Sequence, residues 1–398
     1  MKAGWTTALL AELCEFQRGL TYEKADEVEN SRNVVLRANN IDLATGQLNL
    51  DELKFIGNSI EIPQSKRVRR NSLLVCTASG SKAHLGKVAL IDRDYDYAFG
   101  GFMGQITPGE RVLPAFLFYL MTSDGYRDFI ASLADGANIN NLKFTQLGRF
   151  QVPLPPLPEQ RRIVAILDEA FEGIAKAEAN AQKNIDNAKA VFESHLSEVF
   201  TKRGEGWVER RLDELCAITS TLVDPMDVEH RGLVHVGAAN IAQDTGELIE
   251  LKTAEEEKLI SGKFRFDSSM VLYSKIRPYL RKVARPGFSG ICSADIYPLM
   301  PRSRLLSRDF LFFMLLSHQF TEYAIQGSAR AGMPKVNREH LFAFSSRVPC
   351  VERQVELTKT LDNCASRCQQ LCRLYEQRQV ALRDLKQSLL HHAFSGEL

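Results

Sequence analysis

Apolar positions along this chain follow two different rhythms. Short runs at 33–38, 72–76, 87–91, 233–237 and 269–273 are rich in branched and aromatic residues and lie among turn signals such as Thr45-Gly46 and Thr245-Gly246, which predicts strands. Helical runs at 113–121 and 310–316 sit beside them and make these regions α+β. Elsewhere the spacing lengthens. Leu357, Leu361, Cys364, Cys368, Leu371, Tyr375, Arg378, Leu382, Leu385, Leu389 and His392 step by four and three, the seam of a heptad coiled coil. A similar stripe runs through Ile163, Leu167, Ala170, Ile174, Ala177, Ala181, Ile185, Ala188, Phe192 and Leu196, and its alanines allow another helix to approach closely. Pro153, Pro155, Pro156 and Pro158 mark the entry to it, and proline is compatible with the first turn of a helix.

The whole pattern occurs twice. Trp5, Leu10, Glu12, Leu13 and Cys14 correspond to Trp207, Leu212, Glu214, Leu215 and Cys216. Asn40, Ile41, Thr45, Gly46 and Leu48 correspond to Asn240, Ile241, Thr245, Gly246 and Leu248. Gln160, Leu167 and Asp168 correspond to Gln354, Leu361 and Asp362. A period of about 195–200 residues, kept in order over so many positions, is a tandem duplication. The expected plan is a first α+β domain (1–153), a central helix (154–203), a second α+β domain (204–347) and a C-terminal helix (348–398). Two long helices with one apolar stripe each pack on each other. The central helix leaves the first domain and enters the second, so antiparallel pairing returns the last helix to the first. The expected fold is then two related α+β domains on an antiparallel coiled-coil spacer ~60 Å long, with a pseudo-two-fold axis and residue 398 near residue 1.

Composition narrows the function. With 50 Lys+Arg against 49 Asp+Glu and 44% hydrophobic residues, the chain is ordinary globular protein, and intrinsic disorder is excluded. No run approaches the ~18–20 apolar residues of a membrane span, and the first residues are too weakly apolar for a secretory signal. Eight cysteines without a CxxC pair predict reduced thiols and a cytoplasmic protein. Cys364, Cys368 and Cys372 share one helical face, but structural zinc takes four converging ligands, so they read as seam packing. The stretch from Gly80 to Lys87 imitates a P-loop, yet five residues separate its glycines and Val88 stands where Ser or Thr is required. No GxSxG elbow occurs, and the FGGFMG at 99–104 opens no nucleotide-binding unit.

Charge is distributed unevenly. Lys66, Arg67, Arg69, Arg70, Lys82 and Lys87 occur without an acid between residues 66 and 91, among Thr77, Ser79 and Ser81. The matching segment of the second copy carries Lys263, Arg265, Lys275, Arg277, Arg281, Lys282 and Arg285 against Asp267 alone, with Tyr273, Ser274 and Tyr279. Cations concentrated twice at equivalent positions suggest a phosphate-tracking surface. Base reading needs Asn, Arg or Lys nearby. Asn138, Asn140, Asn141 and Lys143 offer them in one copy, aligned with Arg330, Lys335 and Asn337 in the other. Asn40 and Asn240 repeat with their turns and read as structural.

The strings VPLPPLPEQRRIVAILD (152–168), YSKIRPYLRKVA (273–284) and LLHHAFSGEL (389–398), set in a duplicated plan over nearly the whole chain, resemble the specificity subunit of type I restriction–modification systems. The second junction, VPCVERQVELTKTLD, departs from the first by losing prolines. The resemblance implies two target recognition domains, each reading half of a split double-stranded DNA sequence. It implies helices that space them and dock two methyltransferase subunits, with restriction and translocation subunits completing the complex. Adenine methylation from S-adenosylmethionine, and ATP-driven cleavage, would then reside on those partners, leaving this chain non-catalytic and without a cofactor. Two alternatives stand beside it: a fused nuclease or methyltransferase with an unrecognised site, and a coiled-coil scaffold that never meets DNA.

Overall fold

The computed structural model describes residues 4–43, 45–134, 141–201, 204–328 and 334–398. The chain forms two compact units, residues 1–181 with 377–398, and residues 182–376. Each long helix, Leu157–Thr201 and Val351–Ser395, is thereby divided between the two. This differs from the four consecutive segments expected from the sequence. A helix with one apolar stripe is stable only against a neighbour, so each half joins the body it packs on.

In the first unit Thr6–Leu9 pairs antiparallel with Gln151–Leu154, so the first and last strands of the α+β body close on each other. An antiparallel sheet follows in the order Cys14–Arg18, Met103–Pro108, Leu73–Cys76, Val88–Leu90. A second sheet has the order Glu27–Val28, Lys54–Ile56, Asn33–Leu36, Tyr97–Phe99, the last pair parallel. Leu73 and Val75 enter one core while Leu74 and Cys76 enter another, the alternation of a strand buried on both faces. Helices Pro114–Leu120 and Asp124–Ala134 complete the larger core through Phe116, Leu117, Tyr126 and Ile130. The second of these was not foreseen, because its few buried side chains are scattered among exposed polar ones.

The second unit repeats the plan. Val208–Arg211 pairs with Ser345–Val348, and Cys216–Ala217, Ile296–Pro301, Val271–Ser274 and Val283–Ala284 form the four-stranded sheet. Its other sheet has five strands, since Lys263–Phe266 pairs along its length with Gly290–Ser293, where the first unit has only a bridge from Arg67 to Ala98. Helices Arg308–Leu316 and His318–Gln326 cover the core. Strands form at every run marked in the sequence, to within two residues at either end.

The long helices pair in opposite directions within each unit. In the first, Arg162 donates to the carbonyl of Leu398 (2.6 Å), while Lys386 lies over the Phe171 ring. Trp5 and Leu398 pack on the same core. In the second, Cys372 meets the carbonyl of Ile185, and Leu361 shares a core with Leu196 and Val199. The central stripe is buried or half-buried at all ten expected positions. The C-terminal seam needs correction. Leu371 and Leu385 are 44% and 47% exposed, and His392 is exposed too, while Leu390 and Ala393 are buried. A straight helix drifts by ~20° per heptad from a strict seven-residue repeat, so over several heptads the inward face passes to neighbouring positions. The loss of prolines at the second junction has no effect on the helix start, since Val351–Ser395 begins directly after Pro349-Cys350.

Candidate nucleic-acid interface

Three segments remote in sequence meet at one end of the strand Leu73–Cys76. The N–H groups of Thr77 and Ala78 both donate to the carbonyl of Phe102 (2.9 and 3.1 Å), in the connection between Tyr97–Phe99 and Met103–Pro108. Leu142 N–H donates to the Thr77 carbonyl (2.6 Å), and Ala78 forms a bridge with Asn141. The exposed polar and aromatic side chains on these segments are Ser81, Lys82, Phe102, Asn141 and Lys143, with Ser79 half-buried beside them.

The second unit repeats two of these backbone bonds and the bridge. Lys275 N–H donates to the Asp295 carbonyl (3.0 Å), Val336 N–H to the Lys275 carbonyl (2.8 Å), and Ile276 bridges to Lys335. Thr77 thus becomes Lys275, Phe102 becomes Asp295 and Asn141 becomes Lys335. The Asp295 carboxylate lies between Lys275 (3.4 Å) and Lys335 (3.5 Å). Burial, and then the neighbouring Lys335, lower the Lys275 pKa. Arg277 is exposed, and its side chain has no partner among the described residues. Tyr279 is 53% exposed. Arg277 and Arg281 both adopt left-handed backbone (φ 49° and 46°) around the turn Pro278–Leu280, a conformation costly for a side-chain-bearing residue. Arg277 N–H is tied to the Pro334 carbonyl (2.9 Å), which holds that turn in place.

The two candidate sets named from sequence, loop cations and the Asn/Lys segment, are therefore brought together. Asn138, Asn140 and Arg330 lie outside the described residues. Arg338 and Phe102 were missed. Arg338 closes the same short string as Lys335 and lies over the Tyr297 and Phe264 rings. Phe102 was passed over because FGGFMG was weighed only as a nucleotide loop. Asn337, by contrast, is a helix cap, its side chain accepting from His340 N–H (2.7 Å).

Several basic residues are corrected. The run from Lys66 to Arg70 precedes the strand Leu73–Cys76, whereas Ser79 to Lys82 follow it, so one patch becomes two. The first of them meets acids from a later loop: Arg67 pairs with Asp96, Arg70 N–H donates to Asp94 (2.9 Å), and Lys66 donates to the Arg18 carbonyl (2.7 Å). Arg69 and Arg70 keep exposed side chains beside those acids. Lys87 and Lys282 are structural equivalents, donating to the carbonyls of Ile41 and Ala238. Lys263 is buried and bonded to Ser261, while Arg265 is exposed on the strand Lys263–Phe266, outside the junction. Arg281 donates twice to the Leu316 carbonyl (3.0 and 2.6 Å) and pairs with Glu193 and Asp244. Arg285 pairs with Asp309 and Asp362. These groups satisfy internal carbonyls and carboxylates, because a cation drawn into the fold must be paired. Asn40 and Asn240 are structural as expected, each accepting from the N–H three residues earlier (2.8 Å).

Among the described residues no group of three or more His, Cys, Asp or Glu could hold a metal ion. Burial pushes the Cys368 thiol up to about 11, and the equivalent Cys14 and Cys216 up to about 12, so none is a ready nucleophile. No described helix is long and apolar enough to cross a membrane.

Residues 2–185 match the type I restriction modification DNA specificity domain. The chain is 23% identical to the StySPI type I restriction enzyme specificity subunit of Salmonella potsdam, over 99% of this chain and 89% of that protein. It is 29% identical to the EcoDI specificity subunit of Escherichia coli over 59% of this chain, and spans about half (52%) of that relative's length. In three dimensions it is similar to a chain from a study of complex assembly and conformational transition of the type I R-M system. That match has a TM-score of 0.78 and 20% identity, and covers 100% of this chain and 99% of the other. The HsdS subunit from Thermoanaerobacter tengcongensis shares the fold with a TM-score of 0.57 and 21% identity, over 100% of this chain and 98% of that one. A domain match on the first copy, a relative aligned from end to end and a fold shared over the full length agree: the chain is similar throughout to the specificity subunits of type I restriction–modification systems.

Proposed function

We propose that this chain is the sequence-reading, non-catalytic subunit of a type I restriction–modification complex, and that each unit reads one half of a split double-stranded DNA target. The junction built twice carries this reading. Shared backbone bonds and an equivalent bridge set the frame from which Ser81, Lys82, Asn141 and Lys143 are exposed in one unit, and Arg277, Tyr279, Lys335 and Arg338 in the other. A shared scaffold with unlike exposed side chains suits readers of unlike half-sites. Lys and Arg supply phosphate contact, and Asn, Arg and Lys supply bonds to base edges.

On this proposal, methyltransferase and restriction subunits provide the chemistry, with S-adenosylmethionine and ATP bound on them, in the cytoplasm. Apolar side chains left exposed on the C-terminal helix, Leu371 and Leu374 in one unit and Val380 and Leu385 in the other, fit docking of such subunits. Sequencing methylated adenines in the host genome, with and without this chain, tests the proposal. A two-part motif interrupted by unread positions should vanish on deletion. A continuous motif, or methylation that survives the deletion, rejects it.

A further inference from the structure

Phe102 is 73% exposed, whereas every other described phenylalanine of its unit is buried or half-buried. Leaving such a ring in water forgoes the gain that burial gives an aromatic side chain. The backbone that presents it is fixed. Its carbonyl accepts from Thr77 and Ala78, Met103 N–H donates to the Gly100 carbonyl (2.8 Å), and Gly100 N–H donates to the Leu36 carbonyl (2.9 Å). Gly100 and Gly101 place no side chain over the ring, and around the junction stand Ser81, Lys82, Asn141 and Lys143. The scaffold does not require a phenylalanine, because the second unit makes the same backbone bond through Asp295. The position is thus a fixed mount for a side chain that differs between the copies.

The geometry points to Phe102 as the residue through which the first unit makes apolar contact with a base of its half-site, setting specificity at that position; this rests on the DNA-reading role proposed above. Two forms of the contact share this chemistry. The ring touches a thymine methyl group in the major groove, or it enters a base step as a wedge.

The test uses the full chain purified with co-expressed methyltransferase subunits, and enriches bound duplexes from a randomised library with wild type and Phe102→Ala. The exposed position means that the variant should melt like wild type. It should keep one half of the motif, lose preference at one position of the other half, and bind the wild-type motif about fivefold or more weakly, the low end of a single base contact. Its salt slope should be unchanged. If the contact is the methyl, replacing that thymine by deoxyuridine reproduces the loss in wild type and adds nothing to the variant. If the ring is a wedge, 2-aminopurine beside the step brightens on binding wild type but not Phe102→Ala. A variant that enriches the same motif with the same affinity as a selective wild type overturns the inference alone. A wild-type complex that enriches no motif overturns the DNA-reading role, and this inference with it.

Discussion

Gln160 and Gln354, both fully buried, grip the same three backbone groups in their separate units. Gln160 Oε1 accepts from Leu113 N–H (2.9 Å), and its amide donates to the carbonyls of Arg111 (3.0 Å) and Pro155 (2.9 Å). Gln354 Oε1 accepts from Ser307 N–H (2.7 Å), and its amide donates to Leu305 and Pro349 (2.9 Å each). One side chain thus ties the first turn of a long helix to the loop that starts the helix Pro114–Leu120 or Arg308–Leu316. This fastening joins helix to α+β body in both copies.

Gln160→Leu leaves an N–H and two carbonyls without partners in a water-free site. At ~1–3 kcal/mol for each buried group left unpaired, a loss of ~3 kcal/mol is expected. Gln160→Glu keeps the acceptor but, ionised, has no hydrogen to donate to either carbonyl, so it should be no less destabilising than Gln160→Leu. The two tryptophans report the units separately, since Trp5 packs on the first core and Trp207 on the second. In a Trp207→Phe background, Gln160→Leu should lower the urea midpoint read from Trp5. Gln354→Leu should do the same for Trp207 in a Trp5→Phe background. An unmoved midpoint in both would show that the glutamines fasten nothing.

The repeat made the fold legible: corresponding strands, turns and helices sit where the matched residues placed them. Recurrence alone does not separate cations that bond inside the fold from cations that stay exposed. Lys87 and Lys282 recur because both cap an internal carbonyl near the turn that Asn40 and Asn240 also hold. Repetition at these equivalent positions marks scaffold, and on the proposed function the exposed residues that differ on that scaffold are the candidates for reading. Asp94 and Asp96 could not be seen opposite Arg70 and Arg67, because a strand pairing across distant segments brings them there. Gly46 and Gly246 show the reverse case. Their left-handed backbone (φ 65° and 70°), and the phenylalanine ring within 2.7 Å of where a Cβ would stand, explain a turn that the sequence marked correctly.

Arg281 belongs to the scaffold, with a side chain only 14% exposed. It supplies two hydrogen bonds to Leu316, the last residue of the helix Arg308–Leu316, whose carbonyl has no intrahelical partner. Arg281→Ala should therefore cost the second unit ~2–3 kcal/mol, in the range for bonds to a charged group. Arg281→Lys should restore only part of it, for want of the two-pronged geometry. The Trp207 transition measures both. A variant as stable as wild type but weak on DNA would return Arg281 to the interface.

Lys82 and Lys143 are the cations that the first unit leaves exposed at its junction, with side chains unpaired among the described residues. Replacing both by Ala should flatten the salt dependence of DNA binding by ~0.9 for each phosphate that they neutralise. Replacing Lys66 and Arg67, already engaged by Arg18 and Asp96, should leave the slope within error. Titrating the full complex with duplex from about 50 to 200 mM salt gives both slopes. The opposite ranking would move the interface to the other end of the strand Leu73–Cys76.

His235 gives the second unit a pH dependence of known sign. Its Nδ1 meets Glu257 (2.7 Å), its Nε2 is buried without a partner, and Lys263 stands near. Burial lowers its pKa, outweighing the bond to Glu257 that raises it. Below the ordinary histidine value of ~6.5, the unfolded chain therefore binds this proton more readily than the folded one. Stability then rises with pH between the lowered value and ~6.5, and acidification through that window favours unfolding. His235→Gln should flatten the response. Hydrogen exchange in the strands Val234–Val236 and Lys263–Phe266, compared between about pH 7 and 5.5 after correction for intrinsic rates, reads it locally. Wild type should lose protection on acidification and the variant should lose less. Equal losses would place the acid sensitivity in the carboxylates and leave His235 without a part in it.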